Sequence, residues 1–376
     1  MVVGVAVLGG LFAADCAPPV VAVGDARPQM TDGWTVTPSF KYDALCFVNV
    51  LTGDPYYLTY YEEEYRRIEP RITPDVRRAL DELRRVIKTE GGGIISATLT
   101  LYFSVVEDST LAQMSARLDD LDPMRRELEA TPYFSTQSWD RFASVTDQLQ
   151  VVLEFLSAIG YDADWNARHR PALERRADEL AAALPDWSLL EELGRFTGAP
   201  APAGPIEILV LHFNQPHGIR ITGTRFLTYS GWPPRIVLND AIHEMLHPPY
   251  DLSSDPALRA AIEGLRADEF VLDHLENHDP SLGYNTLEGL IEEDVVQALE
   301  QLLAERAGIA DDPADRWRDS DEGIHVFAAA LYHVLRRDGF LPGEETIAER
   351  LSHELTEGAL RPGHVRGAHD EFYGIR

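Results

Sequence analysis

Two histidines four residues apart, His243 and His247, with Glu244 directly after the first, are the residues of this chain best suited to chemistry. In an α-helix four residues advance roughly 400°, so the imidazoles fall on one face about one turn apart, close enough to share an ion. Glu244 sits about 100° round from His243, where a carboxylate reaches water on the ion rather than the ion itself. This His-Glu-x-x-His spacing is the signature of a zinc hydrolase helix, and Zn2+ is the expected cofactor. Along residues 236–247, Leu238, Ile242, Met245 and Leu246 share one side with the histidine pair at its edge, the pattern of a helix below a cleft. The competing reading is two solvated histidines on an acidic helix.

A catalytic zinc site usually has three protein ligands and keeps one position for water, so a third ligand is needed. The His-x-x-Gly-x-x-His continuation of the metzincins is excluded, because Tyr250 and Ser253 occupy the two diagnostic positions. The other common solution is a glutamate on a following helix. Within residues 287–302, Leu287, Ile291, Val295, Ala298, Leu299 and Leu302 cluster on one side, whereas Glu293 falls nearly opposite, next to Gln297. Glu293 is the first choice, with Glu292 and Glu288 as alternatives.

The segments His-Glu-Met-Leu-His-Pro and Glu-Asp-Val-Val-Gln-Ala make residues 206–303 resemble the gluzincins, the thermolysin-like metallopeptidases. The resemblance implies that His243, His247 and Glu293 hold zinc. Glu244 would take a proton from the attacking water and return it to a leaving amine. It further implies a peptide or protein substrate and a His or Tyr that steadies the oxyanion. His325 and Tyr332, on one face of a helix expected from residue 323 with Ala328 and Ala329 between them, are the candidates; a helix-packing seam is the alternative. Many gluzincins carry an Asp four residues after the ligand Glu, where it orients a zinc-bound histidine. Here Gln297 stands at that position, and Asp294 or Asp240 is a possible replacement. A strand at 224–229 would be the edge on which an extended peptide pairs, with Arg225 available to an acidic group. A binding or scaffold protein without turnover and a hydrolase of non-peptide amides or esters are the competing functions.

The elements that must position these residues follow from periodicity. Helical spacing predicts helices over 75–88, 111–129, 138–159 and 171–184, making 40–196 a helical region. An Ala/Pro linker at 198–205 precedes two β-rich runs, 206–213 and 219–229, expected to pair antiparallel around 214–218. The metal helix begins near Arg235, and further helices are expected over 256–276, 286–307, 323–337 and 345–357. The expected class is α+β, mostly α. The organisation would be a leader over 1–20, a helical region over 21–200 and a gluzincin-like domain over 201–376.

With 376 residues and 45% hydrophobic content, the chain can bury a large core. A net charge of −29 argues against nucleic acid and anionic membrane as partners. The apolar stretch 1–14 predicts export to the periplasm or beyond, although no basic n-region precedes it; the alternative is a buried strand in a cytoplasmic protein. No later segment has the run of about 20 apolar residues that a membrane span requires. Cys16 and Cys46, the two cysteines, do not form a disulfide framework or a zinc-ligand pair.

Overall fold

The computed structural model describes residues 29–31, 33–184, 188–200, 204–279 and 284–375. The expected leader, including Cys16, lies outside the described residues. The chain is an α+β protein made mostly of helices, with a five-stranded sheet. It divides into two compact units, Met1–Leu184 with Pro205–Val237, and Pro185–Gly204 with Leu238–Arg376. Among the described residues no helix is long and apolar enough to cross a membrane.

The first unit holds the sheet, with strands β1 (Gln29–Thr31), β2 (Trp34–Pro38), β3 (Ile206–Leu211), β4 (Ile219–Arg220) and β5 (Arg225–Tyr229) in the order β1-β2-β3-β5-β4. Gly33, at φ +86°, turns the chain between β1 and β2 in a conformation that suits a residue without Cβ. The runs expected to pair as an antiparallel hairpin do not do so. β3 lies parallel to both β2 and β5, and only the short β4 pairs antiparallel with β5. β5 is therefore an interior strand rather than an edge. Arg225 is engaged within the unit, donating to the Thr222 and Ser104 carbonyls and to the Tyr42 hydroxyl. The physical reason lies in β3 itself: Ile-Leu-Val-Leu is apolar on both faces, as an interior parallel strand requires.

Ser39 ends β2 and caps helix α1 (Phe40–Leu51), every residue of which is buried. Phe40 and Phe47 pack on Tyr161, with Trp165 edge-on to Phe40. Asp43 is fully buried, accepting from Trp165 Nε1 at 2.6 Å and from the Phe213 amide at 2.8 Å. Burial raises its pKa to about 6 despite these donors. Helix α2 (Ile95–Phe103) packs on α1, and α3 (Arg170–Ala183) packs on β2.

Three expected long helices are broken. Residues 111–129 form Leu111–Arg117 and Asp122–Glu129, with Pro123 in the first turn of the second, where its missing N–H costs nothing. Residues 138–159 fall within Thr136–Ala143 and Thr146–Ala158. Residues 256–276 are interrupted by Asp268, whose carboxylate caps Glu269–Asn277 by accepting from the Phe270 and Val271 amides.

Helix α4 (Pro234–Leu246) enters the second unit at Leu238. The unit's longest helix is α5 (Leu287–Ala307), capped by the Thr286 hydroxyl and ended by Gly308 in the left-handed region. A short α6 (Pro313–Asp319) follows, then α7 (Val326–Arg337), which packs along α5 and carries α8 (Val365–Tyr373) on another side.

Candidate metal centre

α5 is buried on several sides, and besides its apolar residues it buries a set of polar ones. Glu293, Asp294, Gln297, Glu300 and Gln301 are all at most 8% exposed. Buried carboxylates persist only when paired and hydrogen-bonded, so their partners describe what the helix is built for.

Glu293 faces the two histidines of α4. His243 Nε2 and His247 Nε2 are 3.3 Å apart, and the Glu293 oxygens lie 3.7 Å from the first and 3.4 Å from the second. A tetrahedral zinc with nitrogen and oxygen ligands at about 2.0–2.2 Å keeps its donor atoms roughly 3.3–3.5 Å from one another. The three side chains are thus spaced as donors around one small ion, and they are the cluster among the described residues that could hold a metal. Glu292 is directed instead to the far nitrogen of His247, at 3.4 Å from Nδ1, and Glu288 is exposed.

The outer ring nitrogens show how the imidazoles are held. His243 Nδ1 lies 3.0 Å from Glu300 Oε2, which also accepts from Arg316 Nη2 of α6 at 2.6 Å. Asn239 Nδ2 donates to the other Glu300 oxygen. A carboxylate on Nδ1 directs the Nε2 lone pair inward and makes it a better ligand. It is therefore Glu300, rather than Asp294 or Asp240, that stands against the outer nitrogen of His243. Asp294 is used elsewhere, accepting from His325 Nδ1 at 2.7 Å and from the Phe327 and Ala328 amides at 3.1 Å, so that it caps α7. Asp240 has its pKa raised to about 7 by burial and by the charge of Glu300.

Gln297 joins the Glu293 carboxylate to its surroundings. Its Oε1 accepts from Trp317 Nε1 at 3.0 Å and its Nε2 donates to Glu293 Oε1 at 3.0 Å. Trp317 can only donate and ionised Glu293 can only accept, which fixes the orientation of the amide. Tyr284, at φ +53°, is near enough for the charge of Glu293 to act on its hydroxyl, and sets its ring edge-on to His325 at 5.3 Å. It lies in a loop without periodic pattern, so sequence reading had no signal for it.

The electrostatics match this pairing. Burial disfavours the charged form of Glu293, but His247, the charge of His243 and the Gln297 amide outweigh it and hold the pKa at about 2. Burial likewise works against charge on His247, yet Glu292 and Glu293 raise it to about 9; His243 is raised mainly by Glu300. Both shifts favour the imidazolium form, so a divalent cation would have to compete with protons for these rings.

Glu244 is half-buried on α4, close enough for its charge to act on His247. His325 is not within a helix but at the start of α7, fully buried, with Nδ1 on Asp294 and Nε2 3.1 Å from Asp321. These carboxylates raise its pKa to about 10 against burial. Its polar atoms are committed to the support of α5 and α7. Tyr332 donates to Glu305, twelve residues beyond Glu293, or about 18 Å along the helix. The structure does not bring Tyr332 to the three donors, and the shared face expected for His325 and Tyr332 is lost because α7 begins after His325.

In comparisons with protein-family models, curated proteins and solved structures, the chain gives no match.

Proposed function

We propose that the chain is a zinc-dependent hydrolase of gluzincin type, with His243, His247 and Glu293 as metal ligands. The observation that carries this reading is the spacing of the three donor atoms, 3.3–3.7 Å, together with a carboxylate on the outer nitrogen of each histidine. Bound zinc would supply a Lewis acid that makes water acidic and polarises a carbonyl. Glu244 accepts the proton of the attacking water and returns it to the leaving group. Glu300 and Glu292 hold the imidazoles, and Gln297 holds Glu293. Peptides are the proposed substrate class on the strength of the gluzincin resemblance, and they need not pair with β5, which is interior. Tyr332, which donates to Glu305, is given no role in this mechanism, and His325 stands behind Glu293, 3.0 Å from the Gln297 Nε2.

Metal analysis tests the ligand set: about one zinc per chain is expected, sharply reduced in both His243→Ala and Glu293→Ala. Wild-type zinc content in both variants would sink the proposal. The hydrolytic step has a separate test. Glu244→Gln should retain zinc while losing chelator-sensitive cleavage of a peptide library, since it removes a base without removing a ligand.

A further inference from the structure

The second unit contains a cavity of about 410 Å³, within the size range of small-molecule sites. None of the residues lining it lies on α4 or α5, so it is separate from the metal centre. Trp317 of α6, Val326 at the start of α7 and Tyr373 of α8 form its less polar walls. Trp317 has its one polar atom, Nε1, bonded to Gln297 and therefore offers the cavity carbon alone.

Two histidines complete the lining, and their protons are fixed by their neighbours. His274, on the helix Glu269–Asn277, has Nδ1 2.8 Å from the Phe270 carbonyl oxygen, and His369, on α8, has Nδ1 3.1 Å from Asp370 Oδ1. A carbonyl and an ionised carboxylate can only accept, so each Nδ1 carries a proton and, in the neutral ring, each Nε2 is a bare acceptor. Among the described residues nothing donates to either Nε2. Both rings stand edge-on to Phe270, at 4.8 and 5.1 Å, which limits their rotation. Burial outweighs the pull of Asp370 and lowers the pKa of His369, which favours the neutral ring. Arg318, also at the cavity, is paired with Asp315 and lies over the Tyr373 ring at 5.3 Å. The cavity thus combines aromatic and aliphatic walls with two oriented acceptors.

We propose that this cavity binds a small uncharged aromatic molecule bearing N–H or O–H donors, a phenol or an indole. The ring lies against Trp317, Val326 and Tyr373, and its donors face Nε2 of His274 and of His369. A carboxylate would meet imidazole lone pairs in a protein of net charge −29, whereas a bare hydrocarbon ring would cover the two acceptors without replacing their water. The site does not depend on the hydrolase reading.

The test uses the full chain at pH 8 with chelator present, so that a metal ion on the imidazoles cannot contribute. Phenol, resorcinol, indole and 5-hydroxyindole at millimolar concentration are screened by thermal shift, and hits are measured by calorimetry. At least one should raise the melting temperature, and its methylated counterpart, with the donor hydrogen replaced, should bind about tenfold more weakly. His274→Phe and His369→Phe keep a flat ring but remove Nε2. At least one of them should abolish the preference for the donor-bearing ring over its methylated form, a ratio that a general loss of packing does not change. If neither variant folds, the methylated ligands on the unaltered chain decide. Binding by no member of the panel overturns the proposal. So does equal binding of the methylated forms, or an unchanged preference in both folded variants.

Discussion

Replacing Glu300 by Gln tests whether the carboxylate behind His243 tunes the metal site or merely fills the core. Its side chain is 2% exposed and receives three donors: His243 Nδ1, Arg316 Nη2 and Asn239 Nδ2. In the variant, Asn239 can turn its amide to face the new NH2 group, leaving the remaining oxygen to His243 and Arg316. The hydrogen bonds then survive but all three lose the charge of the carboxylate, each loss worth up to about 1 kcal/mol. Metal-free stability should fall by about 2–3 kcal/mol, below the roughly 3–5 kcal/mol of a buried pair broken outright. Zinc affinity should fall about 10- to 100-fold, because Nε2 of His243 becomes less basic and less firmly aimed. Competition with a chromophoric chelator measures the affinity, and thermal melting of the metal-free protein measures the stability. Arg316→Met separates the two effects. It destabilises the fold but leaves the full charge of Glu300 on His243, so its zinc affinity should not fall. The reasoning fails if Glu300→Gln binds zinc as tightly as wild type, or if the two variants lose affinity equally.

Two other predictions concern groups away from the ligands. Asp43 has its pKa raised from 3.8 to about 6 when folded, so it binds a proton more tightly in the native state than in the unfolded one. Its favourable contribution is complete below about pH 4 and is lost as the pH rises through 6; the stability of wild type relative to Asp43→Asn should fall by about 3 kcal/mol over that window and then level off. Urea titrations followed by tryptophan fluorescence at several pH values check this, and a pH-independent difference would contradict it. Tyr332→Phe should cost about 1–2 kcal/mol through the lost bond to Glu305 while leaving zinc affinity within about twofold of wild type. A large loss of zinc would return Tyr332 to the site.

The parts of this molecule legible in its sequence are those whose partners are close along the chain. His243 and His247 are one turn apart, and Glu293 stands out because it faces away from the apolar side of its helix. Glu300 was equally visible in principle. Seven residues advance a helix by about 700°, so Glu300 lies within about 20° of Glu293, and Gln297 within about 40°. What concealed it was the assumption that the outer carboxylate must lie four residues on. The sheet was misread for a different reason. Proximity along the chain suggests a hairpin, but β3 finds β2 more than 160 residues away, and no local pattern records that pairing. The start of α7 was placed too early because Asp294, a tertiary cap from α5, decides where that helix begins.

The seven-residue separation of Glu293 and Glu300 also bears on how this protein can change length. One residue inserted between them would turn Glu300 by about 100° and move it 1.5 Å along α5, carrying it away from His243, Arg316 and Asn239 together. Two turns of helix thus act as a ruler with Glu293, a proposed ligand, at one mark and the carboxylate that holds His243 at the next. Insertions and deletions between those marks should be as damaging as loss of a ligand, whereas a residue added beyond Gly308, where the helix has ended, leaves both marks in place.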